Sequence, residues 1–161
     1  MSNLTLAIVM HAALAAPVEP TYPAAYAEAT QTGKPLVVLV GADWCPGCRV
    51  MHNSTIPQAA QKGMLKDVTF VNVNTDHDGQ LARQMLVGGS IPQLVMYYQT
   101  PQGWVKKHLT GAQSLHTIES FVKVGVDASA TVRQNKASAE AGKVAQTSDK
   151  VAPKTAPSGG K

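Results

Sequence analysis

The most constraining feature of this chain is a buried strand that runs directly into a pair of thiols. Leu36-Val-Val-Leu-Val40 is an unbroken β-branched and aliphatic run, the pattern of a strand covered on both faces. Trp44-Cys45-Pro46-Gly47-Cys48 follows it. Cys45 and Cys48 are the only cysteines among 161 residues. Two cysteines can build neither a disulfide-rich scaffold nor a four-thiolate zinc site. Two thiols three apart at a helix start share one face, within the Cα separation that a disulfide requires. The spacing places Cys45 at the helix N-terminus, where unpaired N–H groups favour a thiolate. Pro46 suits the first turn because its missing N–H loses no intrahelical partner. Cys48, one turn deeper, is expected to be less exposed. This division suits exchange chemistry, with Cys45 as nucleophile and Cys48 as the resolving thiol. An inert disulfide is the plainer alternative, but a four-residue loop constrains little chain entropy.

The rest of the chain divides by charge. The formal net charge is +4, from 14 Lys and Arg against 10 Asp and Glu. Residues 17–132 carry eight of each sign and are neutral, so the excess lies wholly in 133–161. That segment has no aromatic residue and no Leu, Ile or Met, too little apolar area to offset the entropy of ordering. It is expected to be a flexible basic tail, with a helical continuation near 137–145. The first 16 residues carry no charged side chain, and an apolar run ends in Ala13-Leu14-Ala15. The run is the length of a signal-peptide core and too short for a membrane span. Residues 1–16 are therefore expected to be a signal peptide, 17–132 the folded domain, and the location periplasmic or secreted, with no transmembrane span in the mature form. A buried N-terminal segment of a cytoplasmic protein is the alternative.

Within 17–132 strand and helix patterns alternate. Residues 23–30 read as a helix stopped by Gly33. The strand at 36–40 and the cysteine loop lead into a helix over 49–53, which Pro57 ends or kinks before a second short helix over 57–63. A strand is expected at 68–74, then a helix through Leu86 capped by Asp76 or Asp78. A hairpin pairs 93–99 with 104–109 across Pro101-Gln102-Gly103, and Ser114 caps a last helix with Leu115, Ile118, Phe121 and Val122 at helical spacing. Strands separated by helices and followed by a hairpin imply an α/β fold, a central mixed sheet flanked by helices. Gly88-Gly89-Ser90-Ile91-Pro92 stands just before the strand at 93. Proline there removes a ladder donor, which makes Ile91-Pro92 a candidate cis peptide. An ordinary trans proline opening a strand is the alternative.

These residues resemble the thioredoxin superfamily. The stretch 36–49, with its Trp-Cys-Pro-Gly-Cys, is similar to the active-site strand and loop of thioredoxins. Ser90-Ile91-Pro92 is similar to the Ile–cis-Pro element, and Leu109-Thr110-Gly111-Ala112 before Ser114 to the end of the last strand. The resemblance covers most of 22–127. It implies a thioredoxin-like fold and a thiol–disulfide oxidoreductase that exchanges disulfides with protein substrates through Cys45 and Cys48. It implies that the cis-proline loop faces the cysteines, that the Ile91 backbone bonds an extended substrate segment, and that Trp44 forms part of a flat contact surface. Trp44, Pro46, Gly47, Ile91 and Pro92 are the expected substrate contacts. No organic cofactor and no metal is implied, since the dithiol is the redox centre. The implied partners are cysteine-containing client proteins and a separate redox donor or acceptor, with the protein a monomer.

The sequence departs from the family in two places. Cytosolic thioredoxins keep a buried Asp six residues before the first cysteine, where this chain has Leu39. The dipeptide between the cysteines is Pro-Gly instead of Gly-Pro. The Asn53-Ser-Thr-Ile-Pro57 stretch looks closer to periplasmic reductase-type domains.

Other chemistries fit less well. Cys45, Cys48 and His52 have spacing that suits Cu(I) or Zn(II), which keeps open a metal-delivery or client-binding module without turnover. A structural site would need one more ligand. Covalent haem attachment requires His directly after the second cysteine, and Arg49 stands there. Asp43 is read as a polar strand-end residue or a modulator of the thiolate, and Arg49 as a solvated residue or a partner of Cys45. Lys106-Lys107 is too small a patch for nucleic acid.

Overall fold

The structure, a computed structural model, describes residues 20–148, with side chains through 141. The signal peptide expected over 1–16 and the tail end 149–161 lie outside the described residues. The elements are α1 (Tyr22–Thr32), β1 (Leu36–Gly41), α2 (Pro46–Val50), a π-helical turn (Met51–Thr55), α3 (Ile56–Gln61), β2 (Thr69–Asn74), α4 (Gly79–Met85), β3 (Gln93–Thr100), β4 (Gly103–Thr110) and α5 (Leu115–Ser148).

The four strands form one mixed sheet in the order β2-β1-β3-β4. β1 pairs with β2 in parallel, and β3 is antiparallel to both β1 and β4. Central position explains the β1 sequence, since every residue from Leu36 to Val40 is buried. Alternate side chains point to opposite faces. Val37 and Leu39 join Leu94, Met96, Ile118 and Phe121 in one core, while Leu36, Val38 and Val40 join Val71, Val73, Ala25, Ala29, Ala82 and Met85 in the other. Helices α3 and α5 thus cover one face and α1 and α4 the other. On β2 the buried set is Thr69, Val71 and Val73, because its position beside β1 turns that row toward α1 and α4.

Local chemistry fixes the ends. Gly33 ends α1 with φ 67°, its N–H donating to Ala29 O, a left-handed stop that a side chain disfavours. Ser114 caps α5, its Oγ accepting from Thr117 N at 3.2 Å. The helix after the cysteines begins at Pro46 with Cys45 as its cap, as the placement of Cys45 at the helix N-terminus predicts. Pro57 does not end the helical run. A π-helical turn precedes it, with the Ile56 N–H donating to Met51 O, and this wider turn takes up the missing donor of the proline. α5 runs on past residue 132, through the expected continuation at 137–145, and Arg133 Nη1 donates to Gly33 O at 2.8 Å. Residues 134–141 are exposed all round. No helix among the described residues is long and apolar enough to cross a membrane.

Candidate active site

β1 delivers the chain to the cysteines at the C-terminal end of a central strand, where they pack with Ala42 and Ile91. Cys45 and Cys48 are joined as a disulfide, with Cα atoms 5.2 Å apart. Both are almost wholly buried, at 6% and 5% exposure. The Cys48 N–H donates to Cys45 Sγ at 3.2 Å, and Arg49 N donates to Cys45 O. Cys45 is therefore the cap of a helical run that continues to Gln61.

Two glycines let neighbouring chain approach the disulfide. A β-carbon on Gly41 would lie 3.0 Å from Cys48 Sγ, so the bare position lets Cys48 pack closely against the strand end. A β-carbon on Gly47 would lie 3.2 Å from Pro92 Cδ. The Ile91-Pro92 bond is cis, Pro92 is buried, and Gly111 N donates to Pro92 O at 2.8 Å. Ile91 O lies 3.8 Å from Cys45 Sγ. Five of the residues singled out in the sequence therefore converge: Cys45, Cys48, Gly47, Ile91 and Pro92. Pro46 is exposed beside them.

Trp44 projects into solvent, 66% exposed, yet its indole is fixed. Nε1 donates to Asp76 Oδ2 at 3.0 Å, and Asn74 Oδ1 accepts from Asp76 N at 2.9 Å. Asn74 Nδ2 in turn donates to Asp43 Oδ1 at 3.1 Å. The turn after β2 thus grips the loop before the cysteines. Of the two carboxylates expected at the α4 cap, Asp78 takes the cap position, without a side-chain bond, and Asp76 accepts from Trp44. Arg49 Nη1 donates to Asp43 O at 3.0 Å, on the loop before the cysteines.

A cavity of about 500 Å³ opens behind Cys48, with Leu39, His52, Asn72 and Asp78 in its wall. Leu39, six residues before Cys45, is buried at 4% exposure. His52 Nδ1 is 2.9 Å from Asn53 Oδ1. Among the described residues no three His, Cys, Asp or Glu side chains are grouped to hold a metal ion.

Sequence reasoning missed Gln93, which is fully buried and hydrogen-bonded to the loop before the cis-proline. The available signal was a long polar residue opening an otherwise apolar strand.

The sequence profile described as thioredoxin-like matches residues 17–98. The chain belongs to the thioredoxin-like family. Solved structures agree on the fold of this family member. A thioredoxin from Thermus thermophilus is similar at 23% identity and a TM-score of 0.54, over 63% of this chain and 81% of that one. Trxlp from Edwardsiella tarda is similar at 29% identity and a TM-score of 0.51, over 66% and 98%. No curated protein matches the sequence. A thioredoxin-like fold with a Cys-x-x-Cys disulfide pair supports thiol–disulfide oxidoreductase chemistry in general.

Proposed function

We propose that this protein exchanges disulfides with protein substrates, with Cys45 as the attacking sulfur and Cys48 as the resolving one. The observation that carries the reading is the contrast between the two sulfurs. Cys45 Sγ accepts the Cys48 N–H and borders the cis-proline loop at Ile91 O, whereas Cys48 packs against Gly41 at the strand end.

In the reducing direction, the Cys45 thiolate attacks one sulfur of a substrate disulfide. The substrate S–S bond breaks, a Cys45–substrate disulfide forms, and one substrate thiolate leaves and takes a proton. Deprotonated Cys48 then attacks Cys45 Sγ, forming the Cys45–Cys48 disulfide and releasing the second substrate thiolate. Two electrons pass from the dithiol to the substrate, and an external dithiol donor must return them. The oxidising direction is the reverse. With Leu39 in place of an acid, the Cys48 proton leaves through the cavity behind it, to water or to a polar side chain of its wall.

Trp44, Pro46, Gly47, Ile91 and Pro92 form the proposed contact surface, and the backbone beside the cis bond offers an extended substrate segment a partner. No organic cofactor enters this chemistry. The charge-free run at residues 4–16 supports work in the periplasm or outside the cell; the proposed clients are cysteine-containing proteins.

Insulin reduction driven by dithiothreitol tests the reading. The wild-type protein is expected to accelerate it and Cys45→Ser to abolish the acceleration. Full activity in Cys45→Ser would contradict it.

A further inference from the structure

The loop 87–90 carries the chain from α4 to the cis-proline and has almost nothing of its own to hold it. It reads Val-Gly-Gly-Ser, and all four residues are exposed. Gly88 has φ +73°, and a β-carbon on Gly88 or Gly89 would meet nothing within 4 Å. Main-chain bonds reach Leu86, whose N–H donates to Ala82 O, and resume at Pro92. Among the described residues none is made between 87 and 91. Two adjacent glycines in such a segment leave many conformations open.

One side chain closes this gap. Gln93 is the first residue of β3, paired with Val40 on one side and Thr110 on the other. Its exposure is 0%. Its amide turns back under the loop. Oε1 accepts from Val87 N at 3.1 Å, and Nε2 donates to Val87 O at 2.8 Å and to Ser90 O at 2.9 Å. The amide meets both polar groups of Val87 as a neighbouring strand would, and both Nε2 protons are used. A buried amide with these bonds made is stabilising, and one with them broken is costly, so the loop has a single favoured arrangement over it.

We propose that Gln93 is a positioning residue that sets the docking of macromolecular substrates. It fixes the Val87–Ser90 approach to the cis-proline and so presents the Ile91 edge, beside Cys45, in one orientation. This rests on the reading of the protein as an oxidoreductase of protein disulfides. A folded substrate lying across the loop needs that edge fixed beforehand. A small disulfide that touches only the sulfurs does not. Gln93 touches neither reacting sulfur, so its loss leaves the exchange step itself intact.

The test compares Gln93→Met, similar in length but without the amide, on insulin and on the small disulfide 5,5′-dithiobis(2-nitrobenzoate). For insulin, KM is expected to rise about tenfold while kcat stays within about twofold, as for loss of ground-state and transition-state binding together. Turnover of the small disulfide and the Cys45–Cys48 equilibrium with glutathione are expected to stay within about twofold. Equal losses on both substrates, a shifted thiol equilibrium, or an unchanged KM for insulin would overturn the proposal. Amide hydrogen exchange on the wild-type protein covers the case of a variant that does not fold. The Val87 amide is expected to exchange far more slowly than those of Gly88 and Gly89, and equal rates would remove the clamp. If the wild type reduces neither disulfide, the oxidoreductase reading itself fails, and the exchange measurement still decides whether Gln93 holds the loop.

Discussion

Pro92 Cδ stands 3.2 Å from where a β-carbon on Gly47 would be, so Gly47, just before Cys48, and the cis-proline define one another's position. Pro92 has little room to yield, being buried and held through its carbonyl by Gly111. A branched side chain at 47 has to displace the loop or the first helical turn. Gly47→Val is expected to lower stability by about 1–3 kcal/mol, the usual range for overpacking. It is also expected to impair insulin reduction more than reduction of a small disulfide. Urea unfolding and parallel kinetics check both.

The same logic applies behind the disulfide. Gly41→Ala places a methyl 3.0 Å from Cys48 Sγ and 3.1 Å from its Cβ. Cys48 must shift relative to Cys45, so resolution suffers rather than the first attack. The expected result is a longer-lived Cys45–substrate intermediate, seen by quenching and mass spectrometry. Stability is expected to fall by roughly 1–3 kcal/mol.

Trp44 is exposed yet oriented by Asp76. Asp76→Ala frees the indole at a cost of about 0.5–1.5 kcal/mol for one hydrogen bond. In a Trp104→Phe background, where Trp44 is the only tryptophan, its fluorescence anisotropy is expected to fall. Unchanged anisotropy would show that the bond does not restrain the ring.

Away from the site, Tyr22 and Tyr97 hold their phenol protons above the usual 10.0. Burial is the main cause for both, with Tyr26 adding to the effect at Tyr22 and Tyr22 at Tyr97. The folded state therefore binds protons that the unfolded state has already released. No stability is lost to these groups below about pH 9, and it falls as pH rises through 10 and above. Urea unfolding from pH 8 to 11 is expected to show a shallower alkaline decline in Tyr22→Phe/Tyr97→Phe than in the wild type.

Much of this arrangement is legible in the sequence, for identifiable reasons. The uniform apolar run of β1 and the punctuation by Gly33, Pro101 and Gly103 are local signals, and the structure follows them. The thiol pair and the proline before β3 are chemically distinctive at their spacing. What the sequence does not show depends on distant partners. Asp76 could cap α4 or bind Trp44, and only the turn after β2 decides between them. Pro57 locally predicts an end or a kink, and a π-helical turn at Met51–Thr55 carries the helical run past it. Gln93 looks like any polar strand residue until the loop at 87–90 folds back over it. Arg133 belongs by composition with the basic tail, and its bond to Gly33 O spans one hundred residues of sequence.

The central claim is that Cys45 is the sulfur that attacks the substrate and Cys48 the one that releases it. Trapping tests it most directly. The Cys48→Ser variant is incubated with a protein disulfide, the thiols are alkylated, and the adduct is mapped by mass spectrometry. The account predicts a reductant-sensitive mixed disulfide between Cys45 and the substrate. It predicts no comparable adduct on Cys48 in Cys45→Ser. An adduct that forms as readily on Cys48, or none on Cys45, would contradict it.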